Sequence, residues 1–507
     1  MPSPISRRQF HHRLGLAGLA AGVHAAGQNS FAAMANGSIE TCVVGVNGRG
    51  GSHINSLLKD PRTKITTIVD IDTNVAEKVA RKIIEQQGTP VEFFSDVREA
   101  LESGSFDVLT CATPNHWHAL CGIWAMQAGK DVYIEKPISH NVQEGRALVE
   151  TAKQYGRMFQ TGTQCRSSAA CIDAVKFIED GKIGEVNFAR GLCYKRRKSI
   201  GPLGDYPIPE KVDFDLWSGP APLTDPRLTR QKFHYDWHWQ RHYGNGDSGN
   251  QGPHQTDVAR WGLGLERHPN AILTYAGRLG YQAERNDKSY IDAGDTANTQ
   301  VSIYDYGDKT ITFETRGLDV GKSDEPEIRD FFGDKPGNKI GVIFYGTEGY
   351  VAQVSYGRCV ATDKDRNVIA EFKASGDLNG EHFGNFLDAV ESRDSSTLNA
   401  DAMCGHLSAS VAHLGNIGYY LGQKNLASPS DIETALGSIA SRDDDQATLR
   451  RTVEHLSANG VKLNETPLSL GPKLVFDADS ETFVDNDAAN DMLSREYRAG
   501  FEVTSLA

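Results

Sequence analysis

Residues 41–58 read TCVVGVNGRGGSHINSLL, in which an apolar run, a glycine-rich turn and an amphipathic stretch follow one another. A second apolar run, residues 65–69 (ITTIV), comes next and ends at Asp70. Strand, glycine turn, helix, strand and acid in this order form the context that a dinucleotide-binding fingerprint requires. Gly45 permits the tight turn, and Gly50 lets the helix pack closely on the strand. The stretch therefore predicts the first βαβ unit of a parallel, doubly wound sheet.

The same turn carries groups that would hold a dinucleotide. The predicted helix, Ser52 to Leu58, follows this turn, and the unpaired backbone N–H groups at its N-terminus can bind a pyrophosphate. Asp70 lies about 20 residues after Gly50, where a carboxylate can accept hydrogen bonds from ribose hydroxyls and would repel a 2′-phosphate. We therefore expect NAD rather than NADP as the cofactor. Asn47 replaces the second glycine of the fingerprint, and asparagine tolerates left-handed backbone angles, so the turn can be retained.

Two later segments strengthen this interpretation. Residues 106–118 (FDVLTCATPNHWH) form an apolar run that ends in a polar turn, and residues 131–137 (DVYIEKP) form another that ends in a charged pair and a proline. Ligands of parallel sheets bind at the carboxyl ends of the strands. A lysine at such an end, Lys136, can stabilise negative charge on a substrate oxygen or relay its proton, and burial would lower its pKa. The competing interpretation is a surface lysine paired with Glu135.

The glycine turn, residues 112–118 (ATPNHWH) and residues 135–137 (EKP) together resemble the Gfo/Idh/MocA family of oxidoreductases. The resemblance covers nearly the whole chain after residue 35. It implies an α/β Rossmann N-terminal domain followed by an α+β C-terminal domain with a large open, mainly antiparallel sheet. It also places Lys136 beside the nicotinamide and the reacting carbon. The expected cofactor contacts are Gly45, Asn47, Gly48, Arg49, Gly50, Asp70, Thr113, Asn115, His118, Glu135 and Lys136.

The pattern changes after residue 156. Residues 184–197, 271–281, 299–315 and 339–361 alternate apolar and polar positions, which is typical of antiparallel strands with one solvated or interface face. We expect an NAD-binding domain over residues 38–160 and a substrate domain over residues 161–507. In the resembled family such sheets often mediate oligomers, so we expect a homo-oligomer formed through the C-terminal sheet.

Residues 246–261 (GDSGNQGPHQTDVARW) are the densest candidate site of the second domain. His254 and Asp257 are predicted to lie in the first turns of a helix, whose N-terminus keeps the imidazole neutral. By the resemblance, His254 is the catalytic histidine that takes the proton of the substrate hydroxyl. Family members that act on sugars and inositols usually carry Asp four residues earlier, where this chain has Asn250. A competing interpretation is a core histidine that is hydrogen-bonded by Asp257.

Two loop-like segments are expected to face the substrate: residues 213–222 (DFDLWSGPAP) and residues 233–243 (FHYDWHWQRHY). Their mixture of aromatic and polar side chains suits the C–H faces and hydroxyls of a carbohydrate, although core packing explains any single Trp equally well. His238 and His242 lack the carboxylate that would complete a metal-binding set, so no metal is predicted. The expected substrate contacts are Gln164, Arg166, Trp217, Trp237, Arg241, Asn250 and Asp257.

The first 35 residues are typical of a twin-arginine export signal. Residues 6–10 (SRRQF) precede a weakly apolar stretch, residues 14–26, and an Ala-Met-Ala end at residues 33–35. The apolar stretch is too short and glycine-rich for a stable membrane span, so we expect an exported, periplasmic protein with none after processing. A disordered basic tail is the alternative. Because the periplasm has no dependable free nicotinamide pool, we expect the cofactor to be bound tightly.

Composition excludes some classes of partner. The formal net charge is −13 and no long Lys/Arg run occurs, which argues against nucleic-acid binding. The eight cysteines form no CxxC pair, which argues against structural zinc, and whether Cys165 and Cys171 pair is left open.

Three functions fit the sequence. The first is an oxidoreductase that removes hydride from a sugar or polyol hydroxyl. The second is a redox-neutral hydrolase or lyase that oxidises a glycoside transiently and eliminates its glycosidic group. The third is a non-catalytic periplasmic sugar-binding protein. A fold alone cannot separate them.

Overall fold

The computed structural model describes residues 37–103, 105–204, 206–223, 232–321 and 326–503. The predicted export signal, residues 1–35, lies outside these ranges. Within them, no helix combines the length and the apolar character that crossing a membrane requires.

The N-terminal domain contains six parallel strands in the order β3-β2-β1-β4-β5-β6. The strands are β1 (Ile39–Val44), β2 (Thr63–Val69), β3 (Glu92–Phe94), β4 (Val108–Cys111), β5 (Asp131–Ile134) and β6 (Phe159–Thr161). The helices are α1 (Arg49–Lys59), α2 (Thr73–Gln87), α3 (Val97–Ser103), α4 (Asn115–Gln127) and α5 (Val142–Tyr155). Strands β4 and β5 are buried at every position, which explains why they read as continuous apolar runs. The predicted Rossmann architecture is confirmed.

The C-terminal domain is built on a twelve-stranded sheet in which only β7 and β10 pair in parallel. The order is β14-β13-β12-β11-β7-β10-β9-β8-β16-β15, with β17 on β8 and β18 on β17. The strands are β7 (Val186–Tyr194), β8 (Ala271–Gly277), β9 (Thr299–Asp305), β10 (Thr310–Arg316), β11 (Lys339–Gly346), β12 (Gly349–Ser355), β13 (Arg358–Asp363), β14 (Val368–Lys373), β15 (Leu426–Ala427), β16 (Leu468–Leu470), β17 (Leu474–Asp477) and β18 (Thr482–Phe483). The predicted large, mainly antiparallel sheet is confirmed.

Helices cover this sheet and connect it to the first domain. They are α6 (Ala169–Glu179), α7 (Phe214–Ser218), α8 (Gly246–Asn250), α9 (Gly252–Gly262), α10 (Tyr281–Arg285), α11 (Pro326–Phe332), α12 (Leu378–Ser392), α13 (Ala402–Gly422), α14 (Pro429–Leu436), α15 (Asp445–Ala458) and α16 (Asp487–Asn490). Short 3-10 helices include Gln164–Ser167 and Asp236–Trp239. Cys165 and Cys171 are buried free thiols, and the amide of Gln353 donates to their sulfurs at 3.2 and 3.5 Å.

Helix α12 returns to the N-terminal domain and completes its core. The rings of Phe383 and Tyr133 stack with centroids 4.2 Å apart, and Phe386 is buried in the same cluster as Val43 and Ile65. The two sheets are therefore joined by shared packing as well as by the chain. The domain limits drawn from the sequence stay predictions, because residues from both ranges form this core.

Candidate active site

A cavity of about 560 Å³ lies between the carboxyl edge of the first sheet and the segment that contains α7 and α8. Its volume falls within the range of about 300–1,000 Å³ that is common for ligand pockets. All expected cofactor contacts except Gly50 line this cavity, which we call the cleft. Among the expected substrate contacts, the lining residues are Trp217, Trp237 and Asn250.

The glycine turn shows why two of its positions exclude a side chain. Gly45 has a φ of +77°, and a Cβ there would lie 2.9 Å from the carbonyl oxygen of Ala112. A Cβ on Gly50 would lie 1.8 Å from the carbonyl oxygen of Gly45, so Gly50 acts by close packing and not by facing the cleft. Asn47, which replaces a glycine of the fingerprint, accepts a hydrogen bond from the N–H of Gly48 at 2.9 Å within the turn.

The N-terminus of α1 is open toward the cleft. Helices α2 and α5 are capped by the side chains of Asp72 and Asn141, whereas within the described part of the chain no side chain caps α1. Its first turn also contains no acid. The first N–H groups of a helix attract anions, so this uncapped end and its glycine cradle fit the pyrophosphate of a dinucleotide.

Asp70 stands at the end of β2 with its carboxylate oriented by the backbone. Its Oδ2 accepts a hydrogen bond from Val46 N and its Oδ1 accepts one from Asp72 N, both at 3.0 Å. Burial raises the pKa of Asp70, and these two N–H groups act in the opposite direction. The lone pairs that remain on the carboxylate can accept ribose hydroxyls, as the sequence predicts.

The turns after β4 and β5 are braced by His118 and Asn115. The ring of His118 lies between the carbonyl oxygens of Thr113 at 2.8 Å and Pro137 at 2.6 Å. The amide of Asn115 donates to Asn245 Oδ1 at 2.9 Å, which connects this edge to the second domain. Both residues line the cleft, and these hydrogen bonds fix the positions of the two turns that form its edge.

Glu135 is the centre of a buried polar network. Its Oε1 accepts from Arg49 Nε at 2.7 Å and lies 3.2 Å from His53 Nε2 and 3.3 Å from Gln164 Nε2. Burial alone would raise the pKa of Glu135, but the charges of Arg49, His53 and Lys136 hold it well below the usual range. Gln164, expected to contact substrate, instead supports this carboxylate from outside the cleft lining.

Lys136 faces the cleft from the end of β5 and is not paired with Glu135 as a surface lysine would be. Its Nζ donates to the carbonyl oxygen of Asn250 at 2.7 Å, and the side-chain Oδ1 of Asn250 lies at 3.4 Å. Burial lowers the pKa of Lys136 to about 8; Glu135 opposes this shift, whereas Arg49 and Arg197 reinforce it. An ammonium that is held by neutral oxygens can donate to a further oxygen in the cleft.

A break between two helices makes this contact possible. Helix α8 ends at Asn250 and α9 begins at Gly252, with Pro253 in its first turn. The N–H of His254 donates to the carbonyl of Gln251 at 3.2 Å and not to that of Asn250. The Asn250 carbonyl is therefore directed to Lys136.

His254 lies behind this contact on α9 and is only 8% exposed. Its Nδ1 is buried and has no hydrogen-bond partner among the residues that the structure describes. Burial, reinforced by the charge of Lys136, lowers the pKa of His254 to about 3. The ring centre is 5.0 Å from that of Tyr356, and among the described residues the carboxylate of Asp257 is bonded to Arg166 rather than to this ring.

Besides Gln164, three further expected substrate contacts, Arg166, Arg241 and Asp257, lie outside the cleft lining. Asp257 accepts two hydrogen bonds from Arg166, at 2.9 and 3.0 Å, and a third from Ser408 at 2.8 Å. The guanidinium of Arg241 lies 5.4 Å from the ring centre of Tyr420. Polar side chains in a protein core are usually hydrogen-bonded to other protein groups. The bonds between Asp257 and Arg166 are of this kind.

The aromatic wall of the cleft contains residues that the sequence analysis did not predict as substrate contacts. Tyr235 and His238 line it together with the expected Trp237, whose ring stacks on His238 with centroids 3.7 Å apart. Trp217 lines it as well and packs against Tyr243 at 4.7 Å. The segment 233–243 had been recognised, but its composition alone does not tell which side chains face inward.

Comparison with known proteins identifies the first domain. The Gfo/Idh/MocA profile, described as an oxidoreductase family with an NAD-binding Rossmann fold, matches residues 39–163. Residues 39–163 are thus similar to the Gfo/Idh/MocA family. The prediction of NAD as its cofactor is confirmed by this match.

Similar proteins extend beyond the Gfo/Idh/MocA domain. A levoglucosan dehydrogenase of Pseudarthrobacter phenanthrenivorans is 27% identical over 41% of this chain and 44% of its own length. A glycosyl hydrolase family 109 protein of Saccharopolyspora erythraea is 28% identical over 37% of this chain and 46% of its own length. The chain thus spans less than half of these relatives. The solved complex of levoglucosan dehydrogenase with NADH and levoglucosan shares the fold, with a TM-score of 0.54 and 17% identity over 74% of this chain and 95% of that one.

Proposed function

We propose that this protein is an NAD-dependent dehydrogenase that oxidises a hydroxyl group of a sugar, polyol or glycoside. The observation that carries the proposal is Lys136, which is half-buried at the NAD-binding edge, held by a main-chain carbonyl and part of the cleft lining. An NAD-binding domain supports redox chemistry, and the aromatic wall supports a substrate with C–H faces and hydroxyls.

Lys136 and His254 would have different roles in the reaction. NAD, when bound, supplies the acceptor for the hydride that leaves the substrate carbon. Lys136 donates a hydrogen bond to the oxygen of the reacting hydroxyl and stabilises the charge that develops there. His254, which is neutral because of burial and lies outside the cleft lining but close enough to Lys136 for that charge to lower its pKa, would take the hydroxyl proton from a substrate that reaches it, as the oxygen becomes a carbonyl.

Two further properties belong to this proposal. The paired arginines of residues 7–8 favour twin-arginine export to the periplasm with NAD already bound. The broad C-terminal sheet favours a homo-oligomer that forms through it. Denaturing the exported protein should release NAD, which mass spectrometry would detect. Exported protein that contains no NAD would contradict tight binding.

A redox-neutral glycoside hydrolase or lyase is the second candidate. Asn250 supplies no carboxylate near Lys136, and one similar protein is named as a member of glycosyl hydrolase family 109. In this route the transient oxidation would acidify a neighbouring C–H, and the hydride would return after elimination.

One assay separates these functions. The NAD-loaded protein is offered free sugars, polyols and aryl glycosides, and reduced nicotinamide and released aglycone are measured separately. Accumulation of reduced nicotinamide supports the dehydrogenase. Aglycone release without net reduction supports the second candidate. If neither reduced nicotinamide nor aglycone appears, both enzymatic functions are contradicted and a sugar-binding protein remains.

A further inference from the structure

His238 is placed where it can contact a bound substrate. It belongs to the short 3-10 helix Asp236–Trp239 and lines the same cleft as Lys136 and Asn250. The charges of Lys136 and Arg197 both act on its pKa, which indicates that the ring lies near the Lys136 end of the cleft. His254, by contrast, is not part of the cleft lining.

The hydrogen bond at one nitrogen defines the state of the other. Nδ1 of His238 lies 2.5 Å from the carbonyl oxygen of Tyr235. A carbonyl only accepts, so Nδ1 carries the hydrogen. Burial lowers the pKa of His238 to about 3, and the ring is therefore neutral near neutral pH. Nε2 is consequently a lone-pair acceptor, and the described residues provide it with no hydrogen-bond partner.

The ring is held firmly in this orientation. Trp237 stacks on it at an interplanar angle of 18°. The backbone of Gly244 approaches so closely that a Cβ there would lie 2.7 Å from the Cα of His238. An acceptor that is fixed before binding loses little freedom when it engages a ligand.

We propose that Nε2 of His238 accepts a hydrogen bond from a substrate hydroxyl other than the one being oxidised, and that this contact determines which sugars bind. The inference rests on the proposed function, because it assumes a substrate with several hydroxyls. The reacting oxygen is assigned to Lys136, so the acceptor on the aromatic wall serves a neighbouring hydroxyl. A sugar that lacks this hydroxyl would leave Nε2 desolvated without a donor, which weakens its binding.

The test uses His238→Phe, which keeps a ring on Trp237 and removes both nitrogens, and His238→Gln, which restores a hydrogen-bonding amide. His242→Phe is the matched control, because His242 lies in the same segment but outside the cleft lining. Calorimetry of the proteins loaded with NADH measures the affinity for the best-bound sugar of the assay panel and for each of its monodeoxy analogues. NADH cannot accept a hydride, so binding is measured without turnover and the result does not depend on catalysis.

The wild type should bind one monodeoxy analogue about tenfold more weakly than the parent sugar, the value of one net hydrogen bond. His238→Phe should bind the parent about tenfold more weakly and should no longer distinguish that analogue. His238→Gln should recover part of the discrimination, and His242→Phe should match the wild type. NAD affinity should be unchanged in all variants.

Two results would overturn the proposal: full discrimination in His238→Phe, or an equal loss for every analogue together with weaker NAD binding. A wild type that binds sugars but never reduces NAD would contradict the proposed dehydrogenase function. The affinities for the parent sugar and its monodeoxy analogues would still decide whether His238 contacts the bound sugar. A wild type that binds no sugar at all would reject both.

Discussion

The two sides of the cleft arise from different kinds of structure. The cofactor side is made by turns that follow β1, β2, β4 and β5, all of which end at one edge of a parallel sheet. The other side, which we propose binds the substrate and call the substrate side, is made by short helices and connecting loops within the described residues 214–223 and 232–250. Strand order therefore determines which residues meet on the first side, whereas on the second side each side chain is placed by its own packing and hydrogen bonds.

The largest effect should come from the residue at which the two sides meet. Lys136→Ala should lower kcat by about 10³-fold, since it removes the group that stabilises charge on the substrate oxygen. NAD affinity, measured by fluorescence titration, should change little. The exposed Lys153→Ala is the control and should leave both values unchanged. An Ala variant of Lys136 that retains wild-type kcat would remove this residue from the mechanism.

Asp257 was predicted from the sequence to contact substrate, whereas in the structure its carboxylate binds Arg166. A substitution there tests which role is correct. Asp257→Asn leaves the buried guanidinium of Arg166 without its carboxylate and should lower the free energy of unfolding by about 3–5 kcal/mol. The exposed Asp388, which pairs with Arg62, provides the control: Asp388→Asn should cost at most about 1 kcal/mol. Denaturant unfolding measures both. If Asp257→Asn instead raised KM tenfold at unchanged stability, Asp257 would belong to the substrate site.

Neighbouring glycines test the cofactor side. Gly50→Ala forces a Cβ against the Gly45 carbonyl and should cost about 1–3 kcal/mol of stability and weaken NAD binding. Gly51→Ala meets no atom within 4 Å and should change stability by less than about 0.5 kcal/mol. Calorimetric titration of NAD and thermal unfolding give the comparison. Equal effects of the two substitutions would contradict the close packing of α1 on the glycine turn.

The smallest expected effect is a displaced pH profile. Lys136 must be protonated to donate, and its pKa is about 8, so kcat/KM should fall as pH rises through about 8. No loss from His254 is expected down to about pH 5, because its pKa is about 3. Asn250→Asp places a carboxylate beside the ammonium and should move the falling limb up by about one pH unit. A limb that stays in place would show that another group controls it.

The sequence predicted the cofactor side far better than the substrate side, for a physical reason. The spacing of Gly45, Gly50 and Asp70 follows from a fixed βαβ geometry, so each residue's place could be inferred before the fold was known. The pairing of Arg166 with Asp257 depends on contacts between the 3-10 helix Gln164–Ser167 and α9, which no local periodicity encodes. The inward orientation of His238 likewise depends on its bond to the Tyr235 carbonyl.

The return of α12 to the first sheet sets the order in which the protein can mature. The stacking partner of Tyr133 is Phe383, which is encoded after β14. A ribosome must therefore synthesise strands β7 to β14, eight of the twelve strands of the C-terminal sheet, before the NAD-binding half acquires this aromatic layer. A fragment cut at residue 160 would therefore expose this aromatic surface to water.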